Sequence, residues 1–388
     1  MMARRQIATV GLIATAVTFG PGRMAYGMFL PQLRDEFGFG TGTAGSIAGF
    51  AFAAFFGALF LTGWINARIG PRLPVLIGGI CAVFGFALTA LAPGLATMTL
   101  GVALASASAG FAWTPFNSMA EKAVDVRFEK RTLSVVSTGT TFGIIGAGLL
   151  ALGLVMAGQT WRIAWWSFSA IALSVVIIPL LLLPKEAIEG QRTDISMGAA
   201  GQRLRSLDAL PLYGFAFSFG ATNGTYLSYW IDHISSSGGL PGLSSELIGP
   251  VLLIVFGLAG CLGLLTGDVE DKIGLRALLV AMFTGSAVSL VLLALLPGSW
   301  TATLLSAALQ GVCLMALSSV YSFWSERLFP GISSISFTAT LLVYATGNML
   351  APPVAGFMSD AMGLGPTFAV FASLSLLSVT MVRWVKEV

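Results

Sequence analysis

Residues 63–72 read Gly63-Trp-Ile-Asn-Ala-Arg68-Ile-Gly70-Pro-Arg72, and residues 267–276 read Gly267-Asp-Val-Glu-Asp271-Lys272-Ile-Gly274-Leu-Arg276. Glycine, a basic residue, glycine and arginine fall at the same places in both, 204 positions apart. Each decapeptide opens onto a long stretch without a single Asp, Glu, Lys or Arg: residues 73–120 after the first and 277–325 after the second. A motif that recurs together with its flanking run marks a duplicated architecture. Upstream, Gly20, Arg23 and Tyr26 match Gly220, Asn223 and Tyr226 at an offset of 200. The chain is therefore built from two related halves.

The solvent of those halves follows from the charge count. Of 388 residues, 56% are hydrophobic and 10% charged, against roughly 25% charged in an ordinary soluble domain. So few charges cannot clothe this much folded protein in water, which excludes a soluble enzyme. Disorder is excluded too, because it needs low hydrophobicity and high charge. A formal net charge of +3 is too weak a footprint for nucleic acid. Lipid is the remaining solvent.

A bilayer core about 30 Å thick needs about 20 apolar residues in a helix rising 1.5 Å per residue. Charge-free runs cover 37–67, 73–120, 132–161, 163–184, 209–231, 247–267, 277–325, 328–359 and 361–382. The two longest hold Pro93-Gly94 and Pro297-Gly298 near their middles, where a turn can reverse the chain. Nine runs thus become eleven helices. Residues 7–33, interrupted only by Arg23, supply a twelfth. The start, Met-Met-Ala-Arg-Arg before an apolar stretch, superficially resembles a signal peptide, but that stretch is too long and eleven spans follow. The expected fold class is an all-α membrane protein of twelve transmembrane helices in two six-helix bundles, 1–184 and 209–388. The 185–208 linker between them carries 8 charges in 24 residues.

Orientation follows from the basic residues. With a cytoplasmic N-terminus, 17 of the 20 lie in inside loops or tails, among them Arg4, Arg5, Lys122, Lys130, Lys185, Arg203, Arg327 and Lys386. Only Arg34 and Arg162 fall outside, and Arg23 lies within a span. The positive-inside bias therefore places both termini in the cytoplasm, in agreement with an even number of spans. Cys81, Cys261 and Cys313 sit in apolar runs without regular spacing and are taken as packing residues. A single histidine, His233, leaves no His-rich metal cluster.

Twelve spans in a 6+6 arrangement, a charged middle loop and the doubled Gly-x-x-x-[Asp]-[Arg/Lys]-x-Gly-x-Arg loop resemble the major facilitator superfamily over nearly the whole chain. Gly139, Gly143, Gly146 and Gly148 in the fifth span look like the glycine-rich motif of its exporters, without the proline. Helix 11 echoes it in Gly347, Pro352 and Gly356. Ala67 stands where the first loop usually has Asp, whereas Asp271 is present in the second. Helix 4 lacks the arginine common in drug/proton antiporters. The resemblance implies alternating access, two bundles rocking about a central site near the membrane midplane. It also implies a cavity lined by the first and seventh helices.

An ionisable residue inside a membrane is a functional hypothesis by default. Arg23 is the one that lies clearly within a span, and Phe19, Arg23, Tyr26 and Leu30 share a helical face by their spacing. Phe219, Asn223, Tyr226 and Trp230 form the equivalent face of the seventh helix. A guanidinium can grip a carboxylate or phosphate through two parallel hydrogen bonds. The alternative is that Arg23 reaches for the outer interface, or bonds helix-end carbonyls freed near Gly20-Pro21-Gly22. Trp113, Asn117 and Gln310 belong to family cavity helices, and each is as readily an interhelical packing or hydrogen-bonding residue. Tyr321, Tyr344 and Asn348 are weaker signals. Glu121-Lys122 and Glu326-Arg327 repeat at offset 205, either as ordinary interfacial charge or as a cytoplasmic closure. His233 beside a Ser/Gly-rich loop is expected to be exposed.

These residues point to a transporter rather than an enzyme, because no nucleophile sits beside a base and no soluble domain is present. None of the 17 acidic residues lies deep in a span. Absent carboxylates together with Arg23 favour a small polar or anionic organic solute, such as a carboxylate. The alternative is a proton-coupled efflux antiporter for drugs or other hydrophobic compounds. The expected partners are that solute, a coupling proton and the lipid of the plasma (inner) membrane. No cofactor or nucleic acid is expected, and the chain is read as a monomer.

Overall fold

In hydrocarbon every backbone N–H and C=O must be satisfied within its own segment, which leaves helices as the route for a chain with this pattern. The computed structural model describes residues 2–183, 204, 207–330 and 332–385, and among them every regular element is helical. In chain order the α-helices are α1 (Met2–Phe19), α2 (Pro21–Met28), α3 (Leu30–Phe37), α4 (Thr41–Arg68) and α5 (Arg72–Ala90). Then come α6 (Leu95–Ala112), α7 (Pro115–Ala123), α8 (Val126–Met156), α9 (Trp161–Leu182) and α10 (Leu210–Ser236). The last five are α11 (Ser245–Gly260), α12 (Thr266–Leu295), α13 (Trp300–Leu328), α14 (Ser333–Met362) and α15 (Leu364–Val379). The expected linker at 185–208 lies outside the described residues except for 204, 207 and 208.

Among the described residues, ten segments are long and apolar enough to cross a membrane. One of them, Ser245–Leu295, runs for 51 residues and contains α11, a 3-10 turn at Cys261–Leu265 and α12. Helix α10 is 27 residues long but is not among the ten; Asn223, Tyr226, Tyr229, Asp232 and His233 dilute its hydrophobicity.

Both Pro-Gly pairs fall in turns. α5 ends at Ala90 and α6 begins at Leu95 behind an extended Gly94. α12 ends at Leu295, and the Ser299 hydroxyl accepts from the Ala302 amide to start α13. The stretch 7–33, expected to be one helix, is broken at Gly20 and again at Phe29. Pro21 and Pro31 each sit in the first turn of the following helix, where a missing N–H leaves no hydrogen bond unmade.

The chain forms two compact units. Unit 1 is Met1–Gly38, Phe50–Arg192 and Gly249–Ile254; unit 2 is Phe39–Gly49, Thr193–Ile248 and Val255–Val388. Within unit 1, α1 packs on α8, and α5 packs on α6 and α9. Within unit 2, α10 packs on α14, and α12 packs on α13 and α15. The same three pairings recur in each, as a duplicated sequence demands. Close approach depends on glycine at matched places. A Cβ on Gly20 would meet the backbone of Gly143, and one on Gly220 would meet the Tyr344 carbonyl. Large apolar side chains such as Phe60, Phe84, Leu181, Leu295 and Phe357 lie exposed, the surface expected against lipid tails rather than water.

Candidate functional site

In unit 1 the break at Gly20 starts α2 and sets the direction of Arg23 three residues later. The Arg23 guanidinium carbon lies 4.7 Å from the ring centroid of Phe55, 5.3 Å from that of Phe52 and 5.7 Å from that of Phe19. All three rings are buried, while the Arg23 residue is half-buried. Ring faces attract a cation through their quadrupole, and this contact leaves the in-plane N–H groups uncommitted. Arg23 Nε and Nη2 are sealed from solvent and have no hydrogen-bond partner. They bond no helix-end carbonyl. Trp113 packs edge-on against Phe19 at 5.5 Å, Tyr26 is buried on the same helix as Arg23, and Asn117 is half-buried in α7. A guanidinium held by π-faces, with donors unused in a dry setting, can receive an anion's oxygens without first releasing a partner.

Unit 2 uses the matching residues differently. Asn223 is fully buried, its Oδ1 accepts from the Tyr344 hydroxyl at 2.9 Å, and its Nδ2 has no partner. Phe219 stacks on Tyr344 at 6.0 Å. One turn on in α14, Asn348 donates to the Tyr344 carbonyl at 3.0 Å, while its own Oδ1 is buried and unbonded. Tyr226, also fully buried, turns to another neighbour: it hydrogen-bonds Ser306 at 3.3 Å and packs at a tilt against Trp230, with ring centroids 5.0 Å apart. Gln310 donates to Ser286 Oγ at 3.1 Å, one turn from the Ser289–Ser306 contact at 2.8 Å. The structure thus groups Asn223 with Tyr344 and Asn348. It places Tyr226 and Gln310 in polar contacts between α10, α12 and α13.

The two decapeptide loops form matched turns. Gly70 has φ 108° and Gly274 has φ 78°, left-handed values that favour glycine. Arg72 donates to the Leu180 carbonyl, and Arg276 donates to that of Val385. Arg68 is exposed and stacks on Trp64 at 4.5 Å. Gly63 and Gly267 face open space, and Asp271 and Lys272 are exposed. Glu121 and Glu326 are exposed as well. The Ala67 side chain lies outside the described residues. Nearby, Asp125 caps α8 by accepting from the Arg127 amide at 3.0 Å, and the Arg127 side chain holds its carboxyl below the usual range.

The family model for the Major Facilitator Superfamily matches residues 12–268. The chain belongs to that superfamily. It is 25% identical to human monocarboxylate transporter 11 over 381 residues, covering 91% of this chain and 78% of that protein. Its fold is similar to that of a bacterial homolog of the human lysosomal transporter Spinster in an inward-facing, occupied conformation. There the TM-score is 0.74 at 17% identity, with 99% of this chain and 97% of the other covered. The xylose transporter XylE from E. coli, partially occluded and inward open, aligns with a TM-score of 0.74 at 15% identity over 99% and 100% of the two chains.

Several contacts in this superfamily member were not anticipated. In the second loop Glu270, beside the motif's Asp271, is ion-paired. It is buried and receives both terminal nitrogens of Arg327, at 2.6 and 2.7 Å. His233 is buried rather than exposed: its Nε2 lies 3.0 Å from the Leu293 carbonyl and its ring packs on Phe368 at 5.4 Å. The Ser/Gly loop that suggested exposure begins just beyond that helix end. In unit 1, Glu36 accepts from Trp161 Nε1 at 2.8 Å and from Arg162, which also donates to the carbonyls of Ala90 and Ala92. Tyr344 and Asn348 carried one usable sequence signal, their spacing of four on a helix.

Proposed function

We propose that this transporter moves a small organic anion of carboxylate type across the plasma (inner) membrane by rocker-switch alternating access, with Arg23 as the anion-binding residue. The observation that carries the reading is Arg23 itself, a cation inside a span with two sealed, unpartnered nitrogens. A charge in that position is expensive to keep, and an anionic solute supplies the missing partner. The relative named a monocarboxylate transporter supports the same class of solute. Tyr26, Trp113 and Asn117 are the residues we assign beside Arg23. Asn223, Tyr226 and Gln310 are the polar groups we assign to the second half.

The proposal takes twelve spans, reached by dividing Ser245–Leu295 and counting α10, with both termini cytoplasmic. The halves are 1–184 and 209–388, joined by 185–208, and the protein works as a monomer. Gly63, Arg68, Gly70, Arg72, Gly267, Asp271, Lys272, Gly274 and Arg276 serve the cytoplasmic loops, and Glu121 and Glu326 the cytoplasmic closure. A coupling proton is part of the reading, and no catalytic step is.

The test is transport in proteoliposomes. Uptake of a labelled carboxylate is expected, stimulated by an inward proton gradient. Arg23→Gln should abolish it, and Arg23→Lys, which keeps the charge but loses the planar fork, should retain about a tenth of it. Proteoliposomes that move no organic anion but extrude lipophilic cations along a proton gradient would establish drug efflux instead.

A further inference from the structure

The surroundings of the Arg23 charge say more than the charge alone. Arg23 and Trp113 flank one ring: the guanidinium carbon lies 5.7 Å from the Phe19 centroid, and the Trp113 centroid lies 5.5 Å from it on an edge-on approach. Phe19 also packs edge-on against Phe55 at 6.3 Å. Of these four aromatic residues around Arg23, Phe19, Phe52 and Phe55 are sealed, with exposures of 7%, 7% and 4%. Trp113 is only half-buried, as is Arg23. Among these five residues the part-exposed groups are therefore the indole and the guanidinium, the latter apart from its sealed Nε and Nη2.

Three consequences follow from elementary chemistry. One cation compensates one negative charge, and no second Lys or Arg lies within residues 7–33 or in the charge-free runs. A second carboxylate beside these phenylalanines would be desolvated without a partner. A hydroxyl lying over the ring faces would lose its hydrogen bonds to water in the same way. An aromatic group would instead bury apolar area and gain the edge-to-face geometry that indole and phenyl rings favour.

Building on the anion reading above, we infer that the solute is a monocarboxylate whose short apolar chain ends in an aromatic ring. Its carboxylate pairs with the Arg23 guanidinium, whose Nε and Nη2 are without a partner, and Trp113 selects the ring. Trp113 is then a specificity residue, and its loss changes which acid is preferred rather than whether acids bind.

A matched series of acids tests this on the purified full chain, by calorimetric titration with propanoate, 3-phenylpropanoate and succinate. The first two differ only by the ring, and the third adds a second carboxylate. We expect 3-phenylpropanoate to bind at least tenfold more tightly than propanoate, and succinate to bind no better than propanoate. Trp113→Leu should weaken 3-phenylpropanoate at least tenfold more than propanoate and so erase the preference for the ring, and Trp113→Tyr should keep most of it. Thermal unfolding of each variant checks that it is folded. Equal affinities for the two monoacids, succinate binding tightest, or a Trp113→Leu change that weakens both monoacids alike would overturn the inference while leaving the anion reading intact. If none of the three acids binds but a lipophilic cation does, the anion reading itself falls.

Discussion

Arg276 donates from Nε and Nη2 to the backbone carbonyl of Val385, at 2.9 and 2.6 Å. Its counterpart in the first decapeptide, Arg72, donates to the Leu180 carbonyl at 3.0 Å. Leu180 lies in the last turn of α9, and Val385 follows the 3-10 turn Thr380–Trp384 that extends α15. The terminal arginine of each repeat thus ties its loop to the end of the last helix of its own unit. Carbonyls at a helix C-terminus lack intrahelical donors and carry partial negative charge, so a cation suits them twice over.

Arg72→Ala and Arg276→Ala should each lower stability by about 0.5–1.5 kcal/mol, the net worth of a typical hydrogen bond. The two bonds go to different carbonyls, Leu180 and Val385, so their effects should add in the double variant. Thermal unfolding in detergent reads both. A clearly more than additive double variant would show that the two loops act on each other.

Glu270 and Arg327 are a different case, because the carboxylate is buried and the guanidinium is partly open, with side-chain exposures of 8% and 37%. Removing the arginine strands a desolvated charge, and breaking such a pair from one side typically costs about 3–5 kcal/mol when both partners are buried. Arg327→Ala should therefore destabilise more than Glu270→Gln. The combination Glu270→Gln with Arg327→Met should recover part of the loss. A double-mutant cycle followed by thermal unfolding measures this. Equal losses for the two single variants would mean that the carboxylate is already solvated.

What sequence could supply was whatever a period, a break or a lone charge encodes. Gly70 and Gly274 stood out as repeated glycines, and both occupy left-handed turns. Pro93-Gly94 and Pro297-Gly298 divided the double runs where the helices divide. Arg23 was visible as a charge without company, and it has no hydrogen-bond partner at Nε or Nη2. Less legible was the direction a side chain takes at a helix end. Glu270 and Asp271 are neighbours in the first turns of α12, and the sequence does not say which of them meets Arg327 of α13, the partner that Glu270 has. Tyr226 lies on the same sequence face as Asn223, yet one is bonded to α13 and the other to α14. Helix spacing fixes an angle about the axis, not the neighbour found there.

The glycines of α8 give a matched comparison. A Cβ on Gly143 would press on the Ala16 backbone of α1, and one on Gly139 on Thr15 and the Leu12 carbonyl, whereas one on Gly146 would meet nothing within 4 Å. Gly143→Ala and Gly139→Ala must push helix against helix, an overpacking worth about 1–3 kcal/mol. Gly146→Ala should be neutral or slightly stabilising, because alanine favours the helix by up to about 1 kcal/mol. Unfolding temperature and detergent-extracted yield distinguish them. If all three behave alike, the glycines serve some purpose other than the contact between α1 and α8.

Within unit 2, the start of α4 is held from outside the helix. Its first amides lack intrahelical acceptors, and Asp360 of α14 fills that role, accepting from the Thr41 hydroxyl and from the Gly42 amide at 3.1 Å. The Tyr229 hydroxyl lies 3.1 Å from the Thr41 carbonyl and 2.9 Å from that of Pro352, so α10 and α14 both hold the same turn. A Cβ on Gly42 would crowd the Asp360 carboxylate at 2.5 Å. Losing an N-terminal cap costs about 1 kcal/mol, so Asp360→Ala should speed exchange of the amides at 42–45 roughly fivefold and leave those near Arg68 unchanged. Asp360→Asn, which keeps an accepting oxygen, should speed it less, and Gly42→Ala should resemble Asp360→Ala because it displaces the same carboxylate. Hydrogen exchange read by mass spectrometry resolves the two ends of α4. Unchanged protection at 42–45 in Asp360→Ala would mean that Tyr229 alone secures the turn, in which case Tyr229→Phe should release it.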